Sequence, residues 1–278
     1  MKKFLIRTAT GAAFVAVLIG SILYSKVSFG ILFILITGMA VAEFSSIIKE
    51  YKKTTFSTAL AVLGGVFLFI ATYATYHGTS INPITFFTPY IAIVAYAFVR
   101  QLFDTESKPL DNFAYFALGQ IYIAFPFALL NILATAGADE TTYSWLMPLS
   151  VFIFIWCNDS GAFCVGCTIG RHKLFERISP KKTWEGFIGG AVVATIAGVV
   201  MAQFFDIMNI WQWIGMALVV VVAGTLGDLI ESSMKREMQI KDSGNFLPGH
   251  GGMLDRFDST LLAVPCVIVY LACMGILK

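Results

Sequence analysis

The chain has 278 residues, 58% of them hydrophobic and only 13% charged, with a mean hydropathy of +0.79. That excess of apolar residues excludes a soluble globular domain, a disordered chain and a disulfide-stapled secreted module. Nineteen basic and seventeen acidic residues leave a formal charge of +2, too balanced to suggest a nucleic-acid partner.

Taken in chain order, apolar runs long enough to cross a bilayer lie near 8–24, 28–48, 56–76, 83–103, 112–135, 145–167, 186–205, 211–231 and 257–276. They predict an all-α, polytopic membrane protein of about nine transmembrane helices. Backbone polar groups in lipid need internal partners, and unbroken runs of this length are not the alternation of a membrane barrel. The first run, after Lys2, Lys3 and Arg7, resembles a signal peptide, but another apolar run starts at once, so a retained span is expected. Three regions are expected: amino-terminal helices at 1–80, middle helices at 81–150 with potential dimer contacts, and a catalytic membrane domain at 151–278.

Seventeen of the nineteen lysines and arginines fall on the amino-terminal side of this alternation, leaving Lys26 and Lys278 opposite. The positive-inside rule then predicts a cytoplasmic amino terminus and an external carboxyl terminus. The two long polar connections, about 168–185 and 232–256, both fall on the cytoplasmic side, where chemistry is expected. The five cysteines, 157, 164, 167, 266 and 273, are odd in number and lie within or beside apolar runs, which argues against a disulfide framework. Cys164 and Cys167 have C-x-x-C spacing without a second pair, so they read as packing residues rather than a metal site.

Span six carries Asn158-Asp159-Ser160-Gly161, and Asp159 there is expected to face the bundle interior or a watery cavity. Before span seven, Ser179-Pro180-Lys181-Lys182-Thr183 reads as a helix start, with Ser179 as N-cap and Pro180 in the first turn. Lys181, Lys182 and Thr183 at such a terminus would seat a phosphate; lysines on a capped, positive-inside helix are the plainer alternative.

Span eight ends in Asp228-Leu229-Ile230-Glu231-Ser232 and span nine begins at Asp255-Arg256-Phe257-Asp258-Ser259. Both read D-x-x-[DE]-S, spacing that puts both carboxylates of each turn on one helix face. Antiparallel helices entering one loop bring the two turns to the same membrane surface. Four carboxylates there are costly unless a cation joins them, and oxygen ligands suit Mg²⁺. Ordinary interfacial acids paired with Lys235, Arg236 and Arg256 are the alternative. Between the turns, Lys235, Arg236, Lys241, Asp242 and the run Leu247-Pro248-Gly249-His250-Gly251-Gly252 form a basic, glycine-rich loop whose N–H groups could face an anion. His250 would donate to phosphate, carry a proton or serve the turn alone.

These residues carry a resemblance. Ser232-x-Met234-Lys235-Arg236-x4-Lys241-Asp242-x-Gly244-x2-Leu247-Pro248-x-His250-Gly251-Gly252-Met253-x-Asp255-Arg256-Phe257-Asp258 resembles the signature of the phosphatidate cytidylyltransferase family, also called CDP-diglyceride synthases, without a departure at any position. Asp159–Phe163 and Ser179–Gly186 look like further family elements, so the likeness spans roughly 150–278. The resemblance implies a transferase of phospholipid biosynthesis running CTP + phosphatidate → CDP-diacylglycerol + pyrophosphate. It also implies a Mg²⁺ requirement, room for a monovalent cation such as K⁺, a homodimer, and a multi-pass place in the bacterial inner membrane. The implied cavity faces the cytoplasm and is reachable from the bilayer.

By position, the resemblance makes Asp228 and Asp255 the principal metal ligands, with Asp258 and Glu231 supporting and Asp159 near the same centre. Asp228, Asp255, Asp258 and Lys182 would carry catalysis. Substrate would be held by Ser179, Lys181, Lys182, Thr183, Lys235, Arg236, Lys241, Asp242, His250, Gly251, Gly252 and Arg256. The enzyme rival is a CTP-dependent polyprenol or lipid-alcohol kinase, which would release CDP. A cation-coupled transporter would be favoured by inverted repeats and by acids at mid-membrane in both halves; neither is found, and the candidate acids cluster in the last 120 residues.

Overall fold

The computed structural model describes residues 2–77, 82–104, 108–137, 142–244 and 251–277. Its helices are α1 (Lys2–Tyr24), α2 (Lys26–Lys52), α3 (Thr58–His77), α4 (Pro83–Arg100), α5 (Pro109–Leu118), α6 (Phe125–Leu133), α7 (Leu146–Ile169), α8 (Trp184–Phe204), α9 (Ile210–Glu237) and α10 (Leu254–Cys273). Among the described residues eight helical segments are long and apolar enough to cross a membrane. The ninth expected span is the first one. Its apolar part, Ala9–Tyr24, is about 24 Å long against a hydrocarbon core of about 30 Å. The chain is a multi-pass membrane protein.

By contacts the chain divides into two compact units, Met1–Trp145 with Asp242–Phe257, and Leu146–Lys241 with Asp258–Lys278. In the first unit, α2 presents Phe29, Phe33, Ile36, Ala40 and Phe44 at helical spacing to the interior. The rings of Phe33, Phe127 and Phe14 stand 6.5, 5.4 and 5.8 Å from that of Phe257, edge to face, which anchors the start of α10 here. Ser25 ends α1 and starts α2 through a capping box with Ser28.

The fifth span is one apolar stretch, Pro109–Leu133, interrupted by a π-helical turn at Gly119–Ala124. Pro126 lacks an N–H and its ring would strike the preceding turn of a regular α-helix, and the wider turn relieves both. Gln120 from that turn donates to the Ala61 carbonyl at 2.9 Å.

In the second unit α7 packs on α8 through small residues. A Cβ at Gly161 would stand 2.8 Å from Val193 Cγ2 and 2.9 Å from the Gly189 carbonyl, so the close approach requires glycine. A Cβ at Gly227 of α9 would meet the Asp258 carbonyl oxygen at 2.7 Å, so the two acidic elements of this unit run in direct contact. Sheet structure among the described residues is one antiparallel hairpin, β1 (Lys173–Phe175) and β2 (Ser179–Thr183), pairing Lys173 with Thr183 and Phe175 with Ser179.

That hairpin corrects the expected helix start. Ser179 is not an N-cap and Pro180 is not in a first helical turn; both lie in β2. The helix begins four residues later, where Thr183 is the N-cap and its hydroxyl accepts from the Gly186 N–H at 3.1 Å. Proline is tolerated on an edge strand, where its absent N–H breaks no ladder bond. The pairing extends past the strands, since Trp184 N–H donates to the His172 carbonyl at 2.9 Å. At the other polar connection, α9 continues to Glu237 rather than stopping near 231, helped by the Lys235–Glu231 pair one turn apart.

Candidate active site

Four elements of the second unit enclose a cavity of about 200 Å³, lined by Asn158, Asp159, Ala162 and Phe163 of α7, by Leu174, Lys181, Lys182 and Thr183 of the hairpin, by Gly186 and Phe187 of α8, and by Thr225 of α9. Glu185, in the first turn of α8, holds the hairpin at its base. Its carboxylate accepts from the backbone N–H groups of Arg171 at 3.1 Å and His172 at 3.2 Å. It also pairs with His172 Nδ1 at 2.6 Å. Capping by Thr183 and tethering by Glu185 therefore fix the strand that carries both lysines.

The acidic turn of α9 reaches the same cluster. Lys182 Nζ lies 2.6 Å from Asp228 Oδ2, and Ser232 Oγ–H donates to Asp228 Oδ1 at 3.1 Å. Glu231, one turn on, is 1% exposed and pairs with Lys235 Nζ at 3.0 Å. In α10, Asp258 accepts from the Ser259 N–H at 2.5 Å and feels the charges of Asp228, Asp159 and Lys235. Asp159, Asp228 and Asp258 thus share one electrostatic neighbourhood with two lysines. Among the described residues no three His, Cys, Asp or Glu side chains converge closely enough to hold a metal by themselves.

The first unit holds a second arrangement. Asp255 Oδ2 accepts from the backbone N–H groups of Ser243 at 2.9 Å and Gly252 at 2.8 Å. Gly251 there has φ +79°, a conformation that favours glycine. Glu43 of α2 joins the same segment. Its Oε2 accepts from the Met253 N–H at 2.7 Å, and its Oε1 takes the Ser243 hydroxyl.

Of the remaining sequence candidates, Lys241, Asp242 and Arg256 are exposed, and Ser179 is half-buried in β2 outside the cavity lining. Arg236 is turned back onto its helix end, Nη1 donating to the Ile240 carbonyl at 3.3 Å. His250, with the rest of 245–250, lies outside the described residues. Glu43 was not among the candidates. Its only sequence signal is a lone acid between Ala42 and Phe44 in an apolar run, with no motif around it.

Comparison with known proteins gives the chain's family. Residues 5–274 match the Cytidylyltransferase family. The phosphatidate cytidylyltransferases of Staphylococcus aureus (strain COL) and Staphylococcus haemolyticus are each 36% identical over 184 residues, 65% of this chain and 68% of theirs. That of Staphylococcus epidermidis (strain ATCC 35984) is 46% identical over 124 residues, 44% of this chain and 48% of its own. With nearly its whole length matched, the chain belongs to the cytidylyltransferase family.

Proposed function

We infer that the chain is a phosphatidate cytidylyltransferase, joining the cytidylyl group of CTP to phosphatidate and releasing pyrophosphate. Family membership and the relatives' activity support the reading. The observation that carries it in this molecule is the cavity of the second unit. It sets Lys181 and Lys182 beside Phe163, Leu174 and Phe187, so one wall suits a phosphate dianion and the other the ester carbons attached to it.

The reaction needs no strong base. A phosphate oxygen of phosphatidate attacks the α-phosphorus of CTP, a new P–O bond forms, the bond between the α-phosphorus and the bridging oxygen breaks, and its electron pair leaves with pyrophosphate. The obstacle is repulsion between two polyanions. Lys182, 2.6 Å from Asp228, can contact a phosphate while holding that carboxylate in place, and Lys181 adds a second cation at the cavity wall. Positioning and charge neutralisation then supply most of the rate.

The carboxylates fit Mg²⁺. Asp228 and Asp258, with Asp159 and Glu231 beside them, present only hard oxygen donors. A set that does not close around a metal alone suits an ion that takes one or two carboxylates, keeps waters and completes its shell with substrate phosphate. When bound, Mg²⁺ would neutralise the triphosphate and the departing pyrophosphate. A monovalent cation such as K⁺, a homodimer and a cytoplasm-facing site belong to the same reading. The site's orientation rests on the placement of seventeen of the nineteen basic residues.

Purified protein given CTP and phosphatidate in mixed micelles should release pyrophosphate, with none when phosphatidate is omitted. Release of CDP instead, with phosphate transferred to a lipid alcohol, would replace this reading with the kinase.

A further inference from the structure

Five side-chain amides are buried among the described residues: Gln101, Asn112, Gln120, Asn131 and Asn158. Four of them have partners. Asn112 donates to Gln101 at 2.7 Å, Gln120 to the Ala61 carbonyl at 2.9 Å, and Asn131 to the Thr72 hydroxyl at 2.9 Å. Asn158 has no hydrogen bond at either end of its amide among the described residues. It is 7% exposed in the middle of α7, where an unmet amide is costly and marks a place for a ligand. Its orientation follows from α8. A Cβ at Gly190 would overlap Asn158 Oδ1, so the oxygen is buried against bare helix backbone. The nitrogen is the polar end left to the cavity, which Asn158 lines together with the apolar Ala162, Phe163, Leu174 and Phe187. An amide nitrogen only donates, so a ligand there must accept. Beyond its phosphate, phosphatidate offers two ester carbonyl oxygens that accept and no group that donates.

We propose that Asn158 is a specificity-determining residue: its Nδ2 donates to an ester carbonyl of phosphatidate while Lys181 and Lys182 hold the phosphate. The proposal rests on the reading of this cavity as the phosphatidate site. The donor reads the linkage between chain and glycerol rather than the length of the chain. A lipid whose chains are ether-linked lacks the carbonyl oxygen and leaves the amide unmet. A site built to hydrogen-bond its substrate rejects such an analogue because the buried protein group then has no partner.

The test uses the full chain in mixed micelles, with diester phosphatidate and its dialkyl ether analogue as alternative substrates for pyrophosphate release. One hydrogen bond of this kind is worth about tenfold. Wild type should therefore use the diester with a kcat/KM about tenfold above that for the diether. Asn158→Ala should bring the two to within about twofold of each other by losing diester use, with KM for CTP changed less than about twofold. Asn158→Ser, too short to reach the carbonyl, should behave alike and carries the test if the alanine variant does not fold. Equal use of both lipids by the wild type, a preference that survives in the variants, or a rise in KM for CTP in place of the ester effect would overturn the proposal. Should the wild type release no pyrophosphate, the cytidylyltransferase reading fails by itself. The rise in unfolding temperature that each lipid gives then decides whether Asn158 reads the ester. It should be larger for the diester in the wild type and equal for both lipids in the variants, and equal rises in the wild type would overturn the proposal.

Discussion

Asp228 sits at the end of a nearly continuous apolar run and is held by Lys182 and Ser232. Lys182 neutralises it and, in the proposed reaction, touches phosphate. Lys182→Met should therefore lower kcat/KM by about 10–100-fold, the size of a lost charge-assisted contact, and flatten the salt dependence of phosphatidate use. An unchanged rate would remove Lys182 from the phosphate seat. Glu185 acts at one remove, through Arg171 and His172. Glu185→Ala should reduce turnover while the protein stays folded, and faster hydrogen exchange over 171–183 should accompany the loss. The acids at 228, 231 and 258 were legible in the sequence because charge at the edge of an apolar span is conspicuous. Glu43 and the tether by Glu185 were not, since their partners lie 210 and 14 residues away and no local pattern announces them.

Among the elements, the hairpin is the lesson. Ser179-Pro180 has the composition of a helix start, yet the chain there pairs with Lys173–Phe175. Local chemistry favoured one outcome; the long-range pairing and the Glu185 tether decided the other. Thr183 took the capping role instead, and Thr183→Ala should cost about 1 kcal/mol of α8 stability and weaken phosphate binding through the displaced lysines, as read by thermal unfolding and KM. The α7–α8 contact depends on Gly161. Gly161→Leu would drive a side chain into Val193 and the Gly189 backbone, for roughly 1–3 kcal/mol of overpacking, and should lower the unfolding temperature. The spans themselves were legible because lipid permits only unbroken apolar helices. The π-helical turn of the fifth was not, because it answers to Pro126 and its neighbours in three dimensions.

For the whole molecule, the eight long helices and the short α1 fall on the nine apolar runs read from the sequence. The asymmetry of the basic residues then makes a topological prediction. In a cysteine-free background, Lys26→Cys should be labelled by an impermeant maleimide from the outer face, and Lys108→Cys only when the inner face is exposed. The opposite pattern would invert the protein and remove the site from the side that holds CTP. The central claim is that carboxylates at the ends of α9 and α10 serve a divalent ion that also grips the triphosphate. Pyrophosphate release measured against Mg²⁺ concentration in wild type and Asp228→Asn tests it most directly. The wild type should saturate with Mg²⁺, and the variant should lose more than the roughly 10–100-fold that an outer partner of a metal is worth while remaining folded and membrane-inserted. An Asp228→Asn enzyme with a near-normal, Mg²⁺-dependent rate would contradict it.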